Sequence, residues 1–217
     1  MGANVANEVA KGDFAEATIG SPSLADGEKW CKLFNTRDFV VTAVQDVAGA
    51  ELCGALKNVV ALGAGFCDGL GFGGNTKAAI IRIGLKEMQR FCDRFYGNRG
   101  IRQATFLESC GVADLVTTCF GGRNRKCAEI FVRDHPQGCS KDAWAAIEAR
   151  QLNGQKLQGT GTCEDVMRAL KQRGCAHEFP LFSQIHQIAF EGSPPSSIIE
   201  IGGGAGAARA RHPASKL

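Results

Sequence analysis

From residue 51 to residue 68, apolar and small side chains run round the whole circumference of a helix. Leu52, Leu56, Val59, Val60 and Gly63 recur at helical spacing, and Cys53, Lys57, Ala61 and Ala64 share a second, small-residue face. The pattern predicts a helix buried nearly all round. Lys57, the one charge between Glu51 and Asp68, then needs a partner or a substrate. Downstream, apolar residues at helical spacing predict helices over 75–95, 105–119, 124–134, 143–152, 163–174 and 182–190, with glycine turns between them and Asn75 as the N-cap of the first. Upstream the pattern changes. A short helix follows Asn4, Gly12 breaks it, 17–19 and 38–44 have strand character, 21–27 is a loop and 28–35 is helical. Two short strands and two short helices do not complete an α/β layer. The expected fold is therefore mainly α. Residues 1–46 are a remnant of an α/β domain, 47–200 form an all-α domain, and 201–217, low in apolar bulk, form a disordered tail.

Composition narrows the function classes. The 217 residues suffice for one sizeable core and part of a second. A net charge of +3, without a Lys/Arg-rich face interleaved with aromatics, gives no case for nucleic acid and leaves anionic small molecules open. The ten cysteines form no C-x-x-C pair and have no nearby histidine, so they read as reduced thiols in a reducing compartment and not as a metal site. No uninterrupted apolar run reaches the roughly 18 residues of a membrane helix, so a soluble chain without a membrane partner is expected.

Candidate chemistry gathers in three places. Lys57 beside Asn58 either pairs with an acid to hold the fold or exchanges a proton with a substrate. Asp114 lies among small and apolar residues; as a buried carboxylate it would need a partner, for which Lys57 is the candidate, and as an exposed one it would cap a helix. The turn through Thr117, Thr118, Gly121, Gly122, Arg123 and Asn124 leads into a helix start. Free N–H groups, the helix dipole and a forked guanidinium would suit a phosphate there. Residues 152–159 form a polar loop. Gly69, Gly71 and Gly74 match a Gly-x-Gly-x-x-Gly spacing, but they follow a helix and not a strand, so close helix packing and a turn explain 65–74 better than a dinucleotide site. Gly202, Gly204 and Ala207 match it loosely in a stretch simply rich in glycine.

The segments ELCGALKNVVALGAGFCDGLGFG, NTKAAIIRIGLKEM, ATFLESCGVADLVTTCFGGRNRK and LNGQKLQG resemble signature segments of eukaryotic NAD-dependent glycerol-3-phosphate dehydrogenase. The resemblance runs from Met1 to about Glu200. It implies an N-terminal Rossmann domain followed by an all-α substrate domain, a homodimer, and interconversion of sn-glycerol 3-phosphate and dihydroxyacetone phosphate with NAD. By it, Lys57 takes the proton-transfer position, and Asn58, Asp114 and Thr118 orient that lysine and the substrate. Arg123 and Asn124 match substrate-phosphate contacts. Ala6, Arg123, Lys156 and Gln158 match cofactor contacts, with Asn4 close to Ala6. Nothing corresponds to the family's βαβ unit with its glycine fingerprint, and Met1 aligns with an interior methionine, so most of the cofactor domain is expected to be absent. The alternative is a non-catalytic phosphate-binding or dimerisation module. The chain ends in Ser215, Lys216 and Leu217, a peroxisomal or microbody address when terminal; without it a cytoplasmic location is expected.

Overall fold

A computed structural model describes residues 1–139, 142–153 and 155–201. The expected tail, with its glycines and Ser215–Lys216–Leu217, lies outside the described residues apart from Ile201. The chain opens with α1 (Ala6–Val9), β1 (Ala15–Gly20), α2 (Leu24–Phe34) and β2 (Phe39–Val44). β1 and β2 pair in parallel, Ala15 opposite Phe39 through Gly20 opposite Val44, and no further strand flanks them among the described residues. The expected loop 21–27 is shorter in fact. Ser23 accepts the Asp26 N–H and so starts α2 one turn early.

α3 (Val47–Gly69) is the axis of the rest. Asp46 caps it by accepting the Gly49 N–H at 2.8 Å, and the same carboxylate takes Arg102 N at 2.8 Å and Thr105 Oγ1 at 2.6 Å. α3 packs against α4 (Gly74–Tyr96), α5 (Asp114–Gly121), α6 (Arg123–Asp134), α8 (Gln158–Gln172) and α9 (Pro180–Phe190), with α7 (Asp142–Leu152) behind α6. By length and composition α3 could span a bilayer, contrary to the expectation from run length, because its lone lysine interrupts the apolar run without making the helix polar. Its apolar surface is instead buried inside the protein, as the all-round pattern predicts. Leu56, Val59, Val60, Leu62 and Phe66 are fully enclosed or nearly so, each contributing about 1.5–3 kcal/mol.

Glycine sets the approach of two of these helices. A Cβ on Gly65 would lie 2.6 Å from Ala128 Cβ, and one on Gly69 2.6 Å from Val132 Cβ, so α6 sits directly on the α3 backbone. Gly71, at φ 71°, turns the chain from α3 into α4. The Gly69–Gly71–Gly74 spacing is thus packing and a turn. Beyond the interface Phe131 stacks on Trp144 at 4.5 Å, and Trp144 Nε1 donates to Ala189 O.

Three further boundaries differ from the sequence expectation. Gly73, not Asn75, occupies the α4 cap position. The segment expected as one helix over 105–119 is a 3-10 turn at Gln103–Leu107, a π turn at Ser109–Ala113 and then α5. Gly111 lies against the Phe106 backbone, five residues earlier, where a side chain would collide. α8 begins at Gln158, five residues before the expected 163, because its first turn is held by side chains from other helices.

Candidate active site

α3, α5 and the start of α6 meet the N-terminal turn at a cleft of about 370 Å³ lined by Lys57, Asp114, Thr117, Thr118, Gly121, Gly122 and Arg123, with Gly2, Asn4 and Val5 on the opposite wall. Lys57 projects from the polar break in α3, its side chain 16 % exposed, and its Nζ lies 2.5 Å from Asp114 Oδ1. The Asp114 side chain is only 7 % exposed and also accepts from Thr118 Oγ1, one turn on, at 3.4 Å. The π turn before α5 sets this geometry, since it carries Asp114 to the start of a regular helix with its carboxylate facing α3. A carboxylate taken from water needs this compensation.

At the other end of the cleft, Gly122 occupies the α6 cap position and supplies no side-chain cap. The first N–H groups of α6 and the positive end of its dipole therefore open next to Arg123, whose exposed guanidinium rests 3.4 Å from Gln155 Oε1. One end of the cleft thus offers a proton donor, the other an uncapped helix start beside a guanidinium.

Asn58 and Asn124 lie behind the cleft and do not line it. Asn124 Nδ2 donates to Asn58 Oδ1 at 2.9 Å, Asn124 Oδ1 accepts the Gly159 N–H at 2.9 Å, and Asn58 Nδ2 donates to Gly54 O at 3.1 Å. These bonds join α3, α6 and α8. Ala6 is exposed at the start of α1, one residue beyond Val5 in the cleft wall. Lys156 and Gln158 are exposed on the turn into α8, and Lys156 Nζ binds Glu148 Oε2 at 2.8 Å. The sequence did not single out Gln155 or Glu148; each is an ordinary helix or loop residue until the fold brings it here, whereas Thr117 belongs to the turn already read as a candidate.

Buried thiols stand apart from this chemistry. Burial pushes Cys67 up to about 11 and Cys92 and Cys119 up to about 12, so they stay protonated and inert. All ten cysteines are free.

The residues present fit only part of a dinucleotide. Gly2–Val5 flank Lys57 where a nicotinamide ring would meet a substrate, whereas no glycine-rich strand-to-helix turn occurs among the described residues to hold a pyrophosphate.

A buried Lys–Asp pair thus shares a cleft with an uncapped helix start, on an all-α domain beside a parallel strand pair. Residues 46–200 match the family described as NAD-dependent glycerol-3-phosphate dehydrogenase C-terminus. The chain belongs to that family. It is 52% identical over 201 residues to glycerol-3-phosphate dehydrogenase [NAD(+)] of Cuphea lanceolata, covering 92% of this chain and 52% of that protein. To the cytoplasmic Bos taurus enzyme of the same name it is 51% identical, covering 92% and 55%. The solved structure of glycerol-3-phosphate dehydrogenase from Plasmodium falciparum superposes with a TM-score of 0.85 at 38% identity, covering 96% of this chain and 57% of that one. That of DsGPDH from Dunaliella salina gives 0.84 at 44%, covering 93% and 34%. The chain spans about half the length of the curated relatives it matches.

Proposed function

We propose that this chain supplies the substrate-binding and proton-transfer half of an enzyme that interconverts sn-glycerol 3-phosphate and dihydroxyacetone phosphate. The observation that carries the reading is the Lys57–Asp114 pair in the same cleft as the Gly121–Gly122–Arg123 turn. The phosphate sits on the α6 start and Arg123, which places the C2 oxygen against Lys57 Nζ. Lys57 gives that oxygen a proton during reduction and takes it back during oxidation. Asp114 and Thr118 hold the ammonium in line and offset the developing charge. Asn58 and Asn124 keep the helices carrying Lys57 and Arg123 in register, and the phosphate contact proposed for Asn124 falls to its remaining N–H. NAD would supply the hydride, and Asn4, Val5, Ala6, Arg123, Lys156 and Gln158 are the residues of this chain that would hold it.

The test joins this chain to the dinucleotide-binding half of a relative and follows NADH absorbance with dihydroxyacetone phosphate. Consumption that Lys57→Ala abolishes supports the reading; consumption untouched by that change defeats it. The alternative reading, a phosphate-binding module without redox chemistry, predicts that substrate binds and NADH stays constant. We extend the proposal to a homodimer, checked by sedimentation velocity. Ser215–Lys216–Leu217, when terminal, is proposed as a peroxisomal address; diffuse cytosolic fluorescence of a reporter carrying the last dozen or so residues would count against it.

A further inference from the structure

Glu148 is an acid that none of this chemistry uses, and it is buried. Its side chain on α7 is 6 % exposed, yet it faces two donors from one short segment: Oε2 takes Lys156 Nζ at 2.8 Å and Oε1 takes the Leu157 N–H at 3.0 Å. Lys156 itself is 82 % exposed, the kind of side chain that ordinarily swings free in water. The residues on either side of this clamp bond to α6 instead. Gln155 Oε1 meets Arg123, and the Gly159 N–H meets Asn124, which is bonded in turn to Asn58, the neighbour of Lys57. Gly159 sits so close to α3 that a Cβ there would lie 2.7 Å from Asn58 O, so the contact has no slack.

We propose that Glu148 is a positioning residue: it holds the 155–159 segment from behind so that Gln155 and Gly159 press on Arg123 and Asn124 and fix the cleft around Lys57. This rests on the reading of the cleft as a glycerol phosphate site. A carboxylate is costly to bury unless paired, and here the pairing is spent on ordering one segment before any ligand arrives. Ordering the binding groups in advance lowers what the ligand must later supply. A mobile 155–159 segment would leave Arg123 without Gln155 and Asn124 without the Gly159 N–H.

The test compares the unmodified chain with Glu148→Ala, Glu148→Asp and Glu148→Gln. Amide exchange at Gly159 and the side-chain amide resonances of Asn58 and Asn124 are followed by NMR, and affinity for sn-glycerol 3-phosphate by titration. Glu148→Ala is expected to accelerate Gly159 exchange, shift both asparagine resonances and weaken binding several-fold. Glu148→Asp, which keeps the charge but falls short of Leu157 N, does the same to a smaller degree and serves if the alanine variant does not fold. Glu148→Gln retains an acceptor for Leu157 N and restores most of the affinity. A role in stability alone would lower the melting temperature and leave the affinity of folded protein unchanged. A folded Ala or Asp variant with unaltered Gly159 exchange and asparagine resonances overturns the proposal, as does weakened binding without those changes. If the unmodified chain binds no sn-glycerol 3-phosphate, the functional reading fails, while the exchange data still decide whether Glu148 orders the segment.

Discussion

Lys57 and Asp114 could be paired from sequence because each is a lone charge in an apolar stretch, and burial leaves such charges one solution. Arg123 could be read as well, since a glycine pair before a basic helix start announces its chemistry locally. Asn58, Asn124 and Glu148 could not be placed. Their partners lie 66, 35 and eight or nine residues away, and only the meeting of α3, α6, α7 and α8 defines what they do. In an enzyme reconstituted around this chain, Lys57→Ala is expected to lower turnover by roughly 100- to 10,000-fold, the range for a general acid–base group, with circular dichroism unchanged. Arg123→Lys keeps the charge and loses the fork, so titration should show sharply weaker binding of dihydroxyacetone phosphate; equal affinity would remove the guanidinium from the phosphate site.

Among the elements, the long helices followed from periodicity, and the irregular stretch between α4 and α5 did not. The sequence over 105–119 carries a helical period, but the chain passes through a 3-10 and a π turn before α5, with Gly111 packed on the backbone of Phe106 five residues earlier, a local winding that the apolar period does not report. The start of α8 was misplaced because its first turn is satisfied by Asn124 and Glu148, which come from other helices, and not by its own side chains. Gly65→Val should drive α6 off α3, costing about 1–3 kcal/mol in chemical denaturation and weakening substrate binding, because α6 also carries Arg123. Glu87 on α4 tests another junction. Buried beneath α9, it accepts the Leu181 and Phe182 N–H groups at 2.8 and 2.9 Å, and desolvation pushes its carboxyl up from 4.5 to about 7. Below the ordinary carboxyl value both folded and unfolded chains hold this proton. As pH rises toward 7 the unfolded chain releases it first, so this group's share of stability falls across that window and levels off above it. Glu87→Gln should flatten that part of the melting temperature–pH profile; an unchanged slope would show that Glu87 does not cause it.

At the scale of the whole molecule, the described residues form an all-α body with a two-stranded parallel sheet on one side. Phe14, Trp30, Leu33 and Phe34 are exposed around that sheet, in keeping with its reading as part of a larger α/β layer. The passage from strands to long helices near residue 46 was visible from the change of period: β2 ends at Val44 and α3 begins at Val47. The cleft was not, since it needs Gly2–Val5 folded back against α3 and α5. Whether that cleft recognises a glycerol phosphate is the claim on which the rest depends, and calorimetric titration of the chain with sn-glycerol 3-phosphate, beside glycerol and beside the Arg123→Ala variant, tests it directly. Saturable one-site binding of sn-glycerol 3-phosphate, absent for glycerol and largely lost in Arg123→Ala, is the predicted result. No binding, or binding that survives the loss of Arg123 unchanged, would contradict it.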